Sequence, residues 1–354
     1  MKTEIAIDGA KFMINGKPTY QGVKYKNKPV EGLLMNSRMI QAIFDDENPQ
    51  TREFWKYPDT GKWDADRNTS EFCAQLPAYR AHGLLAVTVG LQGGGSIYKP
   101  EVYGVYRMSA FSDDGVPRDA YFERLSMILS AADQCGMIVI VNYFYWKQVR
   151  HMPRDSSILK AAEAATDRLL RTGFRNILVD VANESGDWWN RPVCGPDNIH
   201  TLIDIVKNTR LDGRRLLVGC STGGTEQIPA GAWLAAEDFS LPHGNGCTPK
   251  SLAAKICRIR KMPEYCARPR PIVVNEDGVE LANMEAAVDE YASWGYYAQG
   301  AGSGEGMYDA IWGGHREKEY GALSGFQTVP VNWGINTPQK QEFFAKVRSI
   351  TGGK

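Results

Sequence analysis

Short apolar runs rich in β-branched residues alternate with longer helical patterns along most of this 354-residue chain. Such alternation indicates βαβ units, in which a helix joins each strand to a parallel neighbour. The runs MIVIVNY (137–143) and PIVVN (271–275) are almost continuously apolar, which is typical of strands buried on both faces. Strands are predicted at 19–25, 84–90, 137–143, 176–182, 215–219, 238–242, 271–275 and 296–300.

Helices are predicted between and after these strands, at 69–82, 119–135, 156–172, 198–210, 248–261, 281–294 and 338–350. Before the first strand, residues 4–7 and 11–14 have the pattern of a β-hairpin, and Asn15-Gly16 forms the next turn. Eight strands that alternate with helices predict an α/β fold, a single (β/α)8 TIM barrel over residues 1–354. The long loops after strands one, two, four and eight would then lie on the C-terminal face, where this fold builds its active sites.

The charges of the chain cancel, with 41 basic and 41 acidic residues. No nucleic-acid or membrane partner is therefore expected, and a neutral substrate fits the composition better than a polyanion. The apolar stretches are too short to span a bilayer, and the residues after Met1 lack the apolar region of a signal peptide. Localisation stays open between a cytoplasmic protein and a mature form whose leader was removed, and the oligomeric state is not predicted.

The cysteines and histidines form no metal-binding pattern. The seven cysteines include no CxxC pair, and an odd number leaves at least one thiol without a partner in the chain. One disulfide among Cys194, Cys247, Cys257 and Cys266 stays open. The five histidines contain no HExxH or HxH motif, so no catalytic metal is expected. No cofactor is predicted either, because the glycines at 300–306 lack the strand and helix context of a phosphate loop.

Two glutamates directly follow predicted strands four and seven. Glu184 follows VDVAN (179–183), and Glu276 follows PIVVN (271–275). A barrel gathers its strand ends around one mouth, so these two side chains are expected to face each other. Hydrolysis of a glycosidic bond needs such a pair, because one neutral acid protonates the leaving oxygen while one carboxylate attacks the anomeric carbon or activates water. The neighbouring Asp180 and Asp277 are expected to support the pair.

These segments resemble clan A glycoside hydrolases, the group that contains family 5 cellulases and mannanases, over nearly the whole chain. KFMINGKPTYQG (11–22) is similar to their opening segment, and DFSLPHG (238–244) is similar to their sixth strand. Asn183-Glu184 matches their acid/base motif, and Glu276 matches their nucleophile. On this resemblance the chain is interpreted as a retaining β-glycosidase of oligo- or polysaccharides. Strand three ends in NYFYW (142–146) and strand eight carries no tryptophan, departures that indicate a divergent member.

Further polar and aromatic side chains are expected to bind the carbohydrate around this pair. In the family that the chain resembles, the asparagine before the acid/base residue binds the sugar 2-hydroxyl. Tryptophan rings in loops of the C-terminal face can stack on sugars. For each of these residues the alternative is a structural role within its loop or in the core. The candidate substrate-binding residues are Asn183, Asn142, Tyr143, His243, Trp146, Trp188, Trp312, Trp333, Arg38, Gln92 and Tyr297.

Three other functions stay open. A non-catalytic barrel would bind carbohydrate without cleaving it. GCSTG (219–223) has the spacing of a nucleophile elbow, so a serine esterase would use Ser221, with Asp238 and His243 following in chain order. A barrel isomerase or lyase would use one glutamate as a base and would not need Glu276.

Overall fold

A curled sheet of seven parallel strands forms the centre of this computed structural model, which describes residues 1–93, 105–298, 320 and 325–352. The strands are β6 (Asn36–Arg38), β7 (Ala86–Gly90), β8 (Ile138–Phe144), β9 (Ile177–Ala182), β10 (Leu217–Gly219), β11 (Val273–Val274) and β12 (Ser293–Tyr296). Their order across the sheet is β10-β9-β8-β7-β6-β12-β11. Every adjacent pair is parallel, which confirms the predicted α/β class.

Residues 238–241 connect the two edges of this sheet. On one side, Asp238 N donates to Val218 O of β10 at 2.8 Å. On the other side, Ser240 N donates to Pro271 O at 2.9 Å, and Val273 N of β11 donates to Ser240 O at 2.8 Å. The sheet must therefore curl until both edges reach the same segment, which occupies the position of the predicted sixth strand.

Helices cover the outside of the sheet, because each central strand is buried on both faces. Val139, Val141 and Tyr143 of β8 point into the large outer core, whereas Ile138 and Ile140 point into a smaller inner core. The helices are α1 (Pro49–Arg52), α2 (Ala65–Ala81), α3 (Asp119–Cys135), α4 (Trp146–Val149), α5 (Asp155–Arg171), α6 (Ile199–Asn208), α7 (Gly231–Ala236), α8 (Pro249–Arg260), α9 (Pro263–Ala267), α10 (Leu281–Asp289) and α11 (Pro338–Thr351).

The N-terminal hairpin closes one end of the inner core. Strands β1 (Ile5–Asp8) and β2 (Lys11–Ile14) pair antiparallel, and β3 (Lys17–Pro18) extends them to a three-stranded sheet. Phe12 of β2 is fully buried against Phe239, with ring centroids 6.0 Å apart. The hairpin thus packs on the inner core, at the end where the central strands begin.

Two of the predicted strands are misplaced. Residues 19–25 do not form the first parallel strand: they contain only β4 (Lys24–Tyr25), which pairs antiparallel with β5 (Lys28–Pro29). The first parallel strand is β6, whose residues Asn-Ser-Arg are polar and therefore carry no strand-like pattern. The eighth strand, β12, begins three residues before the predicted range, because α10 ends at Asp289.

The structure also answers two questions about covalent bonds and membrane spans. All seven cysteines are free thiols, so the disulfide that the sequence left open is not formed. No helix in the described part of the chain is both long enough and apolar enough to cross a bilayer.

The carboxylate of Asp238 is a sensitive point for stability, because it fastens β10 to the connecting segment. It accepts bonds from both terminal nitrogens of Arg215, at 2.6 and 2.9 Å, and from Val218 N at 3.0 Å. Asp238→Ala should lower the free energy of unfolding by about 1.5–3 kcal/mol, since hydrogen bonds to buried charged groups have that value. Urea denaturation measures the change.

The matched control is Asp113→Ala, which removes an exposed partner of Arg107. An exposed ion pair contributes about 0–1 kcal/mol, so this variant should unfold almost like the parent protein. Equal losses in the two variants would contradict the role given to Asp238.

Candidate active site

Four charged or titratable side chains meet beyond the C-terminal ends of the central strands. Arg38 ends β6, Glu184 follows β9, Glu276 follows β11, and His243 follows residues 238–241. Glu184, His243 and Glu276 each contribute one nitrogen or oxygen atom, and these atoms all lie within 4.8 Å of one another. The two glutamates predicted from the sequence therefore face each other.

The curl of the sheet is what brings them together. In the sheet order, β9 and β11 are separated by β8, β7, β6 and β12. Strands lie 4.7–4.9 Å apart, so five spacings on a flat sheet would hold the two strand ends roughly 24 Å apart. A separation of 4.8 Å or less between their carboxylate oxygens follows from the connection through residues 238–241.

Glu276 is buried and is held at both of its oxygens. Arg38 Nε lies 2.7 Å from Oε2, and Asn245 Nδ2 donates to Oε1 at 3.0 Å. Burial alone would lower the pKa of the Arg38 guanidinium, but the negative charge of Glu276 raises that pKa above its ordinary value. The arginine therefore remains a cation and offsets the buried negative charge of the carboxylate.

Glu184 has an unusual backbone conformation. Its φ of +58° lies in the left-handed region, which residues other than glycine rarely adopt. Ser221 Oγ accepts a bond from Glu184 N at 3.0 Å, and Trp189 Nε1 donates to Glu184 O at 2.9 Å. Strained residues that the surrounding structure holds in place cluster at functional sites. The two hydrogen bonds hold this backbone in place and so fix the direction in which the Glu184 side chain leaves it.

The environment of the Glu184 carboxyl group differs from that of Glu276. Its side chain keeps 26% of its surface exposed, against 7% for Glu276. Burial raises the pKa of Glu184 above its ordinary value, and the charges of Arg38 and Lys255 offset part of that rise. The arrangement favours a protonated Glu184 beside an ion-paired Glu276.

His243 lies between the two carboxylates. Its Nδ1 is 3.1 Å from Glu184 Oε1 and 3.6 Å from Glu276 Oε2. Burial lowers the pKa of this histidine to about 3, against the opposing effect of Glu276, so the ring is neutral near pH 7. A neutral ring with its hydrogen on Nδ1 donates to Glu184 and fixes the direction of that carboxyl group.

A buried polar platform lies beneath Glu184. Asp180 accepts bonds from Ser221 N at 2.9 Å, from Ser221 Oγ at 3.0 Å and from Asn142 Nδ2 at 3.1 Å. Burial raises the pKa of Asp180 to about 6. Because Ser221 in turn binds the backbone of Glu184, Asp180 and Asn142 support the glutamate from below, which is the supporting part expected of Asp180.

Asn183, Tyr297 and Gln92 also lie near the site. Arg38 Nη2 donates to Asn183 Oδ1 at 2.5 Å, and the Arg38 guanidinium lies 5.6 Å from the centroid of the Tyr297 ring. Gln92 is fully buried, and its Oε1 accepts a bond from Tyr145 N at 3.1 Å. Asn183 and Tyr297 thus flank the arginine, whereas Gln92 supports the loop after β8.

The other predicted residues are distributed differently. Tyr143 and Trp333 are buried away from the carboxylates, since Tyr143 contacts Thr166 of α5, and Trp333 Nε1 donates to Asn68 of α2 at 3.1 Å. Trp146 is half-buried at the start of α4, and Trp188 is 52% exposed four residues after Glu184. Trp312 lies outside the described residues.

Sequence reasoning missed three residues that belong to this cluster. Tyr145 interacts electrostatically with both Glu184 and Glu276, although burial is the main reason why its pKa is raised. Asn245 binds Glu276, and Lys255 of α8 donates to the backbone of His243. Tyr145 directly follows β8 and Asn245 lies two residues after His243, so their positions at strand ends were available signals. Lys255 gave no such signal, because it lies within a helix.

A metal ion is a poor fit to this cluster. Among the residues that the structure describes, Glu184, His243 and Glu276 are close enough together to hold an ion. However, the Arg38 guanidinium already lies 2.7 Å from Glu276 Oε2, and its positive charge would repel a cation at that oxygen.

The geometry of a serine hydrolase is absent at Ser221. Ser221 is fully buried, and its Oγ bonds to Asp180 and to the Ala182 carbonyl. His243 points at Glu184, and Asp238 is engaged by Arg215 at the other end of its segment. The residues that the esterase hypothesis requires therefore make different contacts.

No protein-family model and no curated protein sequence matches this chain. Solved structures do match it. The chain is similar to the endo-β-1,4-mannanase of Thermotoga petrophila, with a TM-score of 0.54, 13% identity and coverage of 91% of this chain and 77% of that one. It is also similar to a broad-specificity GH5-4 endoglucanase of Clostridium longisporum, with a TM-score of 0.54, 8% identity and coverage of 90% and 96%.

A third similar structure is a Bacteroides vulgatus protein proposed to be a glycoside hydrolase, with a TM-score of 0.53 and 13% identity. The match covers 89% of this chain but only 57% of that longer one. At such low identity these likenesses show a shared fold. The resemblance to clan A glycoside hydrolases is therefore confirmed at the level of the fold.

The contacts of Ser221 lead to a labelling prediction. A fluorophosphonate probe should leave the native protein unmodified, because Ser221 Oγ is buried and bonds to Asp180, and no histidine of the described residues contacts it. Intact-mass spectrometry detects the adduct, and an active serine esterase treated in parallel serves as the positive control. Stoichiometric labelling at Ser221 in the native protein would restore the esterase hypothesis.

Proposed function

We propose that this protein is a retaining glycoside hydrolase that cleaves a β-glycosidic bond of an oligo- or polysaccharide. The observation that carries the proposal is the pair Glu184 and Glu276, which follow β9 and β11, approach each other to within 4.8 Å and have different electrostatic environments. The shared fold with a mannanase and an endoglucanase supports it. In this proposal residues 238–241 take the place of the remaining barrel strand, which closes the sheet into a single (β/α)8 barrel domain.

The spacing of the carboxylates favours double displacement. Retaining enzymes hold their two carboxyl groups about 5–5.5 Å apart, whereas inverting enzymes need ~6.5–9.5 Å to admit a water molecule. Here one oxygen of Glu184 lies within 4.8 Å of one oxygen of Glu276. That gap leaves room for a sugar carbon between the two groups but not for an additional activated water.

Glu276 is the nucleophile in this proposal. Arg38 and Asn245 fix both of its oxygens, and Arg38 places a positive charge beside the attacking group. Such fixing holds the attacking oxygen in a near-attack position, which removes much of the entropic cost of the reaction. Attack on the anomeric carbon forms a glycosyl ester and releases the leaving group.

Glu184 is the acid/base. Burial raises its pKa, which favours the protonated form that the departing oxygen requires, and its partial exposure lets water approach in the second step. Once Glu276 is esterified, its negative charge is gone. The pKa of Glu184 then falls, because protonation no longer relieves repulsion between two carboxylates. The same residue can therefore deprotonate the water that hydrolyses the ester.

Trp188 is proposed as a platform for the leaving-group sugar. A ring carbon of Trp188 lies against the backbone of Gly186, and another lies near Gly223. Gly186 lies two residues after Glu184, and Gly223 lies two residues after Ser221, whose Oγ binds the Glu184 backbone. The exposed Trp188 ring is therefore on the same side of the site as Glu184. The group that Glu184 protonates is the leaving group, and an aromatic face there would stack on a sugar.

The main test compares Glu276→Ala with Glu184→Ala. Glu276→Ala should abolish turnover of every cleavable glycoside, since no ester can form. Glu184→Ala should slow cleavage of unactivated glycosides by about 10²–10⁴-fold, the usual contribution of a general acid. It should slow dinitrophenyl glycosides far less, because that leaving group needs no proton. Initial rates on both substrate types and proton NMR of the first-formed anomer measure these effects.

Glu226→Gln is the matched control, since Glu226 is an exposed glutamate whose carboxylate pairs with Arg258 on the surface. Full activity of Glu276→Ala would refute the nucleophile. An inverted first product would refute the retaining mechanism. Carbohydrate binding by the parent protein without turnover of any substrate in a broad panel would favour the non-catalytic barrel.

The Trp188 platform makes a separate prediction. Trp188→Ala should raise KM for oligosaccharides by about 2- to 13-fold, which corresponds to about 0.5–1.5 kcal/mol of aromatic stacking. Its kinetics on the matching glycosyl fluoride should not change, because fluoride leaves no ring to stack. Trp188→Phe, which retains an aromatic face, is the control. An equal effect on both substrates would indicate that Trp188 only shapes the loop.

A further inference from the structure

Lys255 is a buried cation that the proposed mechanism does not use. It lies on α8 with 2% of its surface exposed. Its Nζ donates to His243 O at 2.7 Å and to Gly223 O at 3.0 Å, both of which are neutral carbonyl oxygens. Lysines are almost never buried at this level unless they are paired with an opposite charge. The position therefore requires an explanation other than packing.

The two carbonyls belong to the two segments that hold Glu184. His243 contacts the Glu184 carboxyl group through Nδ1, at 3.1 Å from Oε1. Gly223 lies two residues after Ser221, whose Oγ binds the backbone of Glu184. Lys255 thus binds His243, whose ring contacts the Glu184 carboxyl group. It also binds Gly223, which is close in sequence to the serine that holds the Glu184 backbone.

Lys255 and Glu184 also influence each other electrostatically. The charge of Lys255 lowers the pKa of Glu184, together with Arg38 and against the larger effect of burial. Burial lowers the pKa of Lys255 itself to about 8, so the amine is protonated at neutral pH. Among the described residues, the other titratable groups that interact with one or both of these two are Cys247, Glu226, Asp277, His243 and Tyr145, and one oxygen of Glu276 lies within 4.8 Å of one oxygen of Glu184.

We infer that Lys255 is a positioning residue for the reaction, which ties the His243 and Gly223 segments together and places a fixed positive charge behind Glu184. This inference rests on the proposed function. The charge limits how far burial can favour the protonated acid, so that Glu184 can still act as a base in the second step. Lys255 touches neither carboxylate and acts through the residues that hold them.

The sign of the pH effect follows from the charge. In the first step Glu184 must be protonated, so kcat/KM declines as the pH rises through its pKa. Removal of a nearby positive charge raises that pKa. The basic limb of the pH profile is the range in which kcat/KM falls as the pH rises. It should therefore move to higher pH when Lys255 is neutralised, by about 0.5–1 pH unit for a charge that is close but not in contact.

The experiment compares Lys255→Met and Lys255→Arg with the parent protein. The measured quantity is kcat/KM against pH on a glycoside with an unactivated leaving group, because only such a substrate needs the proton of Glu184. Lys255→Met should move the basic limb upward, and Lys255→Arg, which keeps the charge, should leave it in place. Lys250→Met, an exposed lysine of the same helix, is the matched control and should match the parent protein.

Each outcome decides the question. A basic limb that stays in place in a folded, active Lys255→Met variant would overturn the inference and leave the lysine a structural role. If this variant does not fold, Lys255→Gln keeps an N–H donor for the carbonyls without the charge and takes its place. Failure of both to fold would also assign Lys255 to structure alone. Absence of turnover in the parent protein would instead refute the proposed function.

Discussion

The hydrogen bonds of residues 238–241 to β10 and to β11 are the constraint on which the site depends. Glu184 and Glu276 follow strands that lie close to opposite edges of the sheet, so each would be isolated on an open, flat sheet. Joining the edges converts a long lateral separation into one of 4.8 Å or less between one oxygen of each carboxylate. The inner apolar core, closed at its far end by Phe12, fills the space that this curl creates.

The two glutamates, Glu184 and Glu276, have identical side chains but different surroundings. Glu276 is buried beside the Arg38 guanidinium, whereas Glu184 is partly exposed and contacts a neutral histidine. Burial raises the pKa of Glu184, and different surroundings are the means by which two carboxyl groups of one site take different roles. Hydrogen bonds from Glu184 N to Ser221 and from Trp189 to Glu184 O hold the Glu184 backbone in its left-handed conformation. The surrounding loops thereby fix the direction of the Glu184 carboxyl group.

Much of this arrangement was predictable from the sequence, and the failures have physical causes. The strands at β8 and β9 and the helix α3 were recognised because their apolar spacing and flanking residues agree with their final state. The strand β6 was missed because its polar residues are buried by partners that are distant in the chain. Tyr143 and Trp333 were predicted to bind substrate, but their side chains contact helices instead. Strand register and loop direction determine which way a side chain points, and neither can be read from residue type.

The sequence by itself determined the alternation of strands and helices and placed Glu184 and Glu276 directly after two buried strands, since these features depend on local spacing. Only the tertiary structure decided which side chains surround them. Arg38, Asn245 and Lys255 come from three different parts of the chain, and no local pattern connects them. Burial and charge at a single point in space are sums over such distant residues, so the electrostatic difference between the two glutamates exists only in the folded molecule.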